Sequence, residues 1–171
     1  MFKEHFISEE HREKVELFTC SDEESVGEFL KENALKLHMC NTASTRLFFD
    51  QQDNLIGYFT LFTDQVLVPK NLKQKHNWEV FSLVGKPMYP AIRLHYMGVD
   101  ENFRSKGYGK ILLYFALDIC KEVAENVGCN FVSIEALNSA VPFYIKHGFY
   151  KLNKNNNKFV NMIFKIDELD T

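Results

Sequence analysis

The sequence predicts an α+β fold on a sheet of mixed, mostly antiparallel direction with helices on both faces. Three observations carry the prediction. Paired β-runs stand near both ends, strand and helix alternate in the middle, and residues 110–127 form one long segment of helical apolar spacing.

The first element is a helix over about residues 22–38. Ser21 with Glu24 three residues on has the form of a capping box, and Val26, Phe29, Leu30, Ala34 and Leu37 recur at helical spacing. "TRLFFD" and "LIGYFTLFTDQVLV" are β-branched and aromatic runs separated by the turn residues Gln51 to Asn54, so the pair reads as a hairpin. "AIRLHYMGV" is a further strand, with Pro87 and Pro90 marking its start. Ile111, Leu112, Phe115, Ala116, Ile119, Cys120, Val123 and Val127 then define a helix of about five turns, closed by Gly128. "NFVSIEAL" is a strand, Ser139 to His147 a short helix ended by Gly148, and "GFYKL" with "KFVNMIFKI" a final hairpin. The biased stretch "NKNNNK", holding Asn153 to Asn157, is a turn.

A chain of 171 residues, 46% hydrophobic and 25% charged, has the size and composition of one globular domain spanning residues 1–171. Its N-terminus is charged from the third residue, and nowhere do eighteen uncharged apolar residues run together. A soluble, cytoplasmic protein follows, with no membrane partner. Cys20, Cys40, Cys120 and Cys129 stand far apart with no C-x-x-C pair, which indicates reduced, mostly buried thiols rather than a zinc site or a disulfide framework. The net charge of −3 is unevenly divided: residues 1–40 carry ten acids against five bases. From Ala136 to Ile166 there is no acid, while Lys146, Lys151, Lys154, Lys158 and Lys165 supply positive charge. A positive face in the C-terminal half suits a phosphate-bearing ligand.

The junction "VDENFRSKGYGK" sharpens that reading. Arg104 to Lys110 forms the turn between a strand and the N-terminus of the long helix, where the first backbone N–H groups lack intrahelical partners and the dipole end is positive. Gly107 and Gly109 carry no Cβ, so an anion can come close to the backbone, and Arg104 and Lys106 add charge. A diphosphate fits such a loop. Neither a Walker A loop nor the G-x-G-x-x-G dinucleotide pattern is present.

With a second motif, "ALNSAVPFYIKHGFY", the chain resembles the GNAT superfamily of acetyl-CoA-dependent N-acetyltransferases. The first family signature, V-D-x-x-x-R-x-x-G-x-G and a leucine-rich helix, is matched by Val99-Asp100, Arg104, Gly107, Gly109 and Leu112-Leu113. The second is matched by Asn138, Phe143, Tyr144, Gly148 and Phe149, with Val141 where alanine is usual. The resemblance implies the GNAT fold, in which the strand bearing "HYMGV" splays from the strand bearing "VSIEA". It further implies that the thioester arm of acetyl-CoA lies in that gap against Met97, Gly98 and Val99. The loop Arg104, Ser105, Lys106, Gly107, Tyr108, Gly109 and Lys110 would hold the diphosphate, with Asn138 and Phe143 along the pantetheine.

On the same resemblance Tyr144 is the acid that protonates the departing thiolate, and catalysis is otherwise proximity of amine to thioester. The base stays open between Glu135, a carboxylate in an apolar strand, His95 on the neighbouring strand, and water. Over nearly its whole length the chain is similar to the subfamily that includes GNAT toxins acting on aminoacyl-tRNA. Small-molecule or peptide amines and aminoacyl-tRNA are therefore the acceptor classes, a homodimer is a further partner, and a module that binds acetyl-CoA without turnover is the alternative from another class.

Overall fold

The β-runs on either side of Gln51 to Asn54 are neighbours in both sequence and sheet, as a short turn dictates. The computed structural model describes residues 2–82, 85–152 and 158–170. Its strands are β1 (Lys3–Phe6), β2 (Ser44–Phe49), β3 (Leu55–Leu67), β4 (Met88–Val99), β5 (Phe131–Leu137), β6 (Tyr150–Lys151) and β7 (Phe159–Lys165), and they form a seven-stranded mixed sheet in the order β1-β2-β3-β4-β5-β7-β6. β1–β2, β2–β3, β5–β7 and β6–β7 are antiparallel, whereas β4 and β5 are parallel. The helices are α1 (Arg12–Glu16), α2 (Glu24–Phe29), α3 (Leu35–Met39), α4 (Lys70–His76), α5 (Tyr108–Val127) and α6 (Val141–Lys146).

The chain divides into two compact units, and the division cuts β3, β4 and α5. The first unit is Met1–Phe62 with Leu94–Ala116. It holds a core in which Phe18, Leu30, Leu47 and Tyr58 are fully buried, and the Tyr58 hydroxyl donates to the Val26 carbonyl at 2.6 Å. The expected helix over 22–38 runs here as α2, a π-helical segment Leu30–Ala34, and α3. Its capping box does not form: Glu23 is the N-cap without a side-chain bond, and the Ser21 hydroxyl donates to Glu101 instead. The β2–β3 hairpin forms as its turn chemistry demands, with the Asp50 carboxylate accepting the Gln52 and Asn54 backbone N–H groups at 2.9 and 2.8 Å. Gly57 packs so closely that an added Cβ would stand 2.5 Å from the Gly98 carbonyl oxygen and 2.7 Å from Leu112.

The second unit is Thr63–Arg93 with Leu117–Thr171. Val68, Tyr89, Ala91, Phe131 and Ile163 form its core, with Trp78 and Tyr150 packed against it. α4 has no counterpart in the sequence reading. Only Leu72 gives it an apolar anchor, and its ends are marked by Pro69 at the N-cap and Asn77 in the left-handed conformation at the C-cap. Pro90 lies inside β4 rather than at its start, since the strand begins at Met88. Gly128, at φ +83°, ends α5 as expected, its N–H donating to the Ala124 carbonyl at 2.9 Å. The Asn153 to Asn157 turn lies outside the described residues. Of the lysines expected on a positive face, Lys165 is buried and ion-paired with Asp167, Lys146, Lys151 and Lys158 are exposed, and Lys154 is outside the described residues.

No helix among the described residues is long and apolar enough to cross a membrane. All four cysteines are free thiols; Cys120 is buried, Cys20 and Cys129 are half-buried, and Cys40 is exposed, contrary to the expectation of mostly buried thiols.

Candidate active site

Met97 to Lys110 belong to the first unit. Gly98 is explained by packing: a Cβ there would meet Val26 at 2.5 Å and both Phe18 and Tyr58 at 3.3 Å. The Val99 carbonyl accepts from Arg104 Nε at 3.3 Å. Asp100, 4% exposed, accepts the backbone N–H groups of Thr19 and Asn102 at 2.8 and 2.9 Å and caps a short 3₁₀ turn over Glu101–Phe103. The second signature residue of the first motif is thus a tether, a role the sequence reading missed although the residue was in view.

The turn that follows is left-handed at Ser105 (φ +60°) and Gly107 (φ +82°), and nothing lies within 4 Å of where a Gly107 Cβ would stand. α5 begins at Tyr108, and its first bond runs from the Ile111 N–H to the Gly107 carbonyl at 3.3 Å. The N–H groups of Tyr108, Gly109 and Lys110 precede that bond and have no intrahelical acceptor. Arg104 does not extend from the loop as a free cation. Its guanidinium pairs with Asp22, lies 3.0 Å from Cys20 Sγ, and holds the Asp22 carboxyl below its ordinary value. Burial pushes the Cys20 thiol up to about 11 despite the nearby arginine. Lys106 and Lys110 lie over the rings of Phe103 and Tyr114, at 5.3 and 5.6 Å.

Glu135, Asn138, Phe143 and Tyr144 belong to the second unit. The helix expected from Ser139 starts at Val141, so Asn138 precedes it instead of capping it, and its side-chain amide donates to the Lys158 carbonyl at 3.3 Å. Tyr144 is on α6, with its ring edge-on to Phe143 at 5.1 Å and Phe149 at 5.3 Å. By exposed area it is half-buried, yet protein surrounds the ring closely enough that burial alone pushes its phenol up to about 12. Among the described residues its hydroxyl has no hydrogen-bond partner.

The parallel ladder between β4 and β5 covers only Ala91–Arg93 against Phe131–Ser133. β5 continues to Leu137 paired to β7, and Glu135 lies two residues beyond the last β4–β5 rung. Its carboxylate is 53% exposed and pairs with Arg93 Nη1 at 3.0 Å. His95, in the first unit, is exposed among the rings of Phe29, Phe62 and Tyr96 at 4.7–5.3 Å. No group of three or more His, Cys, Asp or Glu side chains among the described residues could hold a metal ion.

The family model described as Acetyltransferase (GNAT) family matches residues 9–149. Among solved structures, AtaT complexed with acetyl-methionyl-tRNAfMet is 20% identical, with 99% of this chain and 98% of that one covered at a TM-score of 0.80. A tyrosine-to-phenylalanine mutant of KacT is 21% identical, with 99% and 97% covered at a TM-score of 0.81. AtaTR bound with AcCoA is 20% identical, with 99% and 98% covered at 0.75. At that identity the likeness establishes the fold, while the family match extends over both signatures, the tether at Asp100 and the turn at Gly107. The chain belongs to the acetyltransferase (GNAT) family and is an acyltransferase that uses acetyl-CoA as its cosubstrate.

Proposed function

We propose that the chain transfers the acetyl group of acetyl-CoA to a primary amine by direct attack, with Tyr144 as general acid and Glu135 as the acceptor-side carboxylate. One observation carries the reading: the hydroxyl of Tyr144 has no hydrogen-bond partner among the described residues, so no acceptor in the protein holds its proton. It stays protonated across the physiological range and its proton is free to be given away. The open turn at Gly107 and the N–H groups of Tyr108, Gly109 and Lys110 suit a diphosphate, with Ser105, Lys106 and Lys110 beside it. Arg104 serves there as a strut for the loop through Asp22 and Val99. Met97, Gly98 and Val99 offer backbone groups to the thioester arm, and Asn138 and Phe143 flank the pantetheine.

The chemistry balances as follows. The acceptor ammonium gives one proton to Glu135, directly or through water, and becomes nucleophilic. The nitrogen–carbon bond forms, the carbon–sulfur bond breaks, and Tyr144 donates its proton to the departing thiolate. The second proton lost by the new amide nitrogen restores the phenol.

A second reading, the amino group of an aminoacyl-tRNA as acceptor, is favoured by the charge division. The first unit carries nine bases against fourteen acids, and the second carries eleven against nine. It is also favoured by the AtaT complex, whose own ligand is acetyl-methionyl-tRNAfMet. The experiment is thiol release from acetyl-CoA with a panel of small amines, peptides and aminoacyl-tRNAs, each product checked by mass. Acetylation of at least one amine is the expected result. Acetyl-CoA turnover that leaves every amine of the panel unmodified would overturn the amine reading.

A further inference from the structure

The second unit carries a line of charge across three strands, of which the reaction outlined above uses only the outermost member, Glu135. Asp64 lies on β3, Arg93 on β4, and Ser133 and Glu135 on β5. Arg93 Nε donates to Asp64 Oδ2 at 2.9 Å, the Ser133 hydroxyl donates to the same oxygen at 2.7 Å, and Arg93 Nη1 reaches Glu135 Oε1 at 3.0 Å. The exposure is graded: Ser133 is buried, the Asp64 and Arg93 side chains are 19% and 18% exposed, and Glu135 is 53% exposed. Across the other edge of β5 the residue in register with Glu135 is Asn161, which is uncharged. Burying charge in a sheet costs free energy unless each group is paired, and apolar residues would serve packing alone as well or better. The cluster holds two carboxylates to one guanidinium, so its exposed end is net negative.

We propose that Arg93 is a positioning residue for Glu135, fixed by Asp64 and Ser133, and that this network sets Glu135 to receive a cationic acceptor amine. The proposal rests on the role given to Glu135 above. Glu135 sits beyond the last rung of the β4–β5 ladder, so neighbouring strand pairing fixes its backbone on the β7 side only. A carboxylate there has several rotamers, and Arg93 selects one. The guanidinium is itself gripped at Nε by a carboxylate that a buried hydroxyl holds in place, so the order passes outward from Ser133 through Asp64 and Arg93 to Glu135. Burial alone would raise the Asp64 carboxyl, but the Ser133 and Arg93 hydrogen bonds outweigh it and hold the carboxyl below its ordinary value. The inner carboxylate is therefore charged at neutral pH, as the grip on Arg93 needs. A cationic amine approaching the exposed Glu135 oxygen meets net negative charge, and the fixed rotamer holds its nitrogen in one place; misplacement of a reacting group by about 1 Å costs on the order of 10²-fold in rate.

The test compares Glu135→Gln, Arg93→Lys, Arg93→Met and Ser133→Ala with the parent, using the acceptor identified by the amine panel. Expected for Arg93→Met is a fall of about 10²-fold in kcat/KM for the amine with acetyl-CoA affinity unchanged, and a displaced acid limb of the pH–rate profile. Arg93→Lys should recover part of the loss, and Ser133→Ala should show the same changes at smaller size. If Glu135→Gln turned over like the parent, both the role of Glu135 and this proposal would be wrong. If Glu135→Gln were impaired while every folded Arg93 and Ser133 variant kept the parent's amine kcat/KM and pH profile, the positioning role alone would fall. Should Arg93→Met not fold, Arg93→Lys and Ser133→Ala decide by the same two readouts.

Discussion

The Asp100 carboxylate accepts the Thr19 backbone N–H at 2.8 Å, joining the end of β4 to a loop 81 residues earlier in the chain. The same carboxylate accepts the backbone and side-chain N–H groups of Asn102, both at 2.9 Å, and the Asp100 N–H donates to the Ile56 carbonyl at 2.8 Å. One buried acid therefore sets where the strand stops and where the turn toward Gly107 begins.

Asp100→Ala leaves the Thr19 and Asn102 donors without their charged acceptor. Unfolding free energy should fall by about 2 kcal/mol, read as a lower urea midpoint at unchanged slope. A change under about 0.5 kcal/mol would mean that the tether carries no stability.

Gly107→Val tests the anion turn. Nothing in the protein stands near the added side chain, so the fold pays only the left-handed backbone strain of about 1–2 kcal/mol. Acetyl-CoA binding by calorimetry should be lost while the domain stays folded. Unchanged affinity would remove the diphosphate from this turn.

The Asp64 carboxyl gives a pH signature. Burial opposes its charged form, but hydrogen bonds from Ser133, Arg93 and the Gln65 N–H depress its folded-state value below the unfolded value of about 3.9. Its stabilising contribution is present above that value and is lost as pH falls through the folded-state one. Asp64→Asn should therefore be less stable than the parent at pH 7, with the gap narrowing toward pH 2–3. A gap of constant size over that range would contradict the assignment.

Thiol reactivity should follow burial. Cys40 is exposed, whereas burial pushes Cys20 up to about 11 and Cys120 up to about 12 and also raises Cys129. Iodoacetamide at pH 7.5 should modify Cys40 first, with the other three reacting slowly until the chain is denatured. Early modification of Cys20, beside Arg104, would mean that the guanidinium outweighs burial there.

Legibility in the sequence followed the strength of the periodic signal. β3 opens with seven consecutive buried residues and α5 repeats its apolar positions over twenty, so both were visible. β1 is four exposed residues and α4 has one apolar anchor, so neither makes a pattern; the Pro69 and Asn77 at the ends of α4 were the only available marks. The capping box at Ser21 failed because Glu101, eighty residues away, takes the hydroxyl. Spacing places Arg104 on the loop but is blind to its Asp22 partner. Asp64 and Arg93, single charges in apolar strands, were the signal for the network across β3, β4 and β5.

The most direct measurement is single-turnover acetyl transfer by Tyr144→Phe, with acetyl-CoA saturating and the acceptor fixed by the amine panel. Phenylalanine keeps the ring contacts to Phe143 and Phe149 and removes only the proton donor. The predicted result is a transfer rate lower by about 10²-fold or more at undiminished acetyl-CoA affinity. Transfer at the parent's rate would contradict the account, because the thiolate would then be taking its proton from water or from the amine.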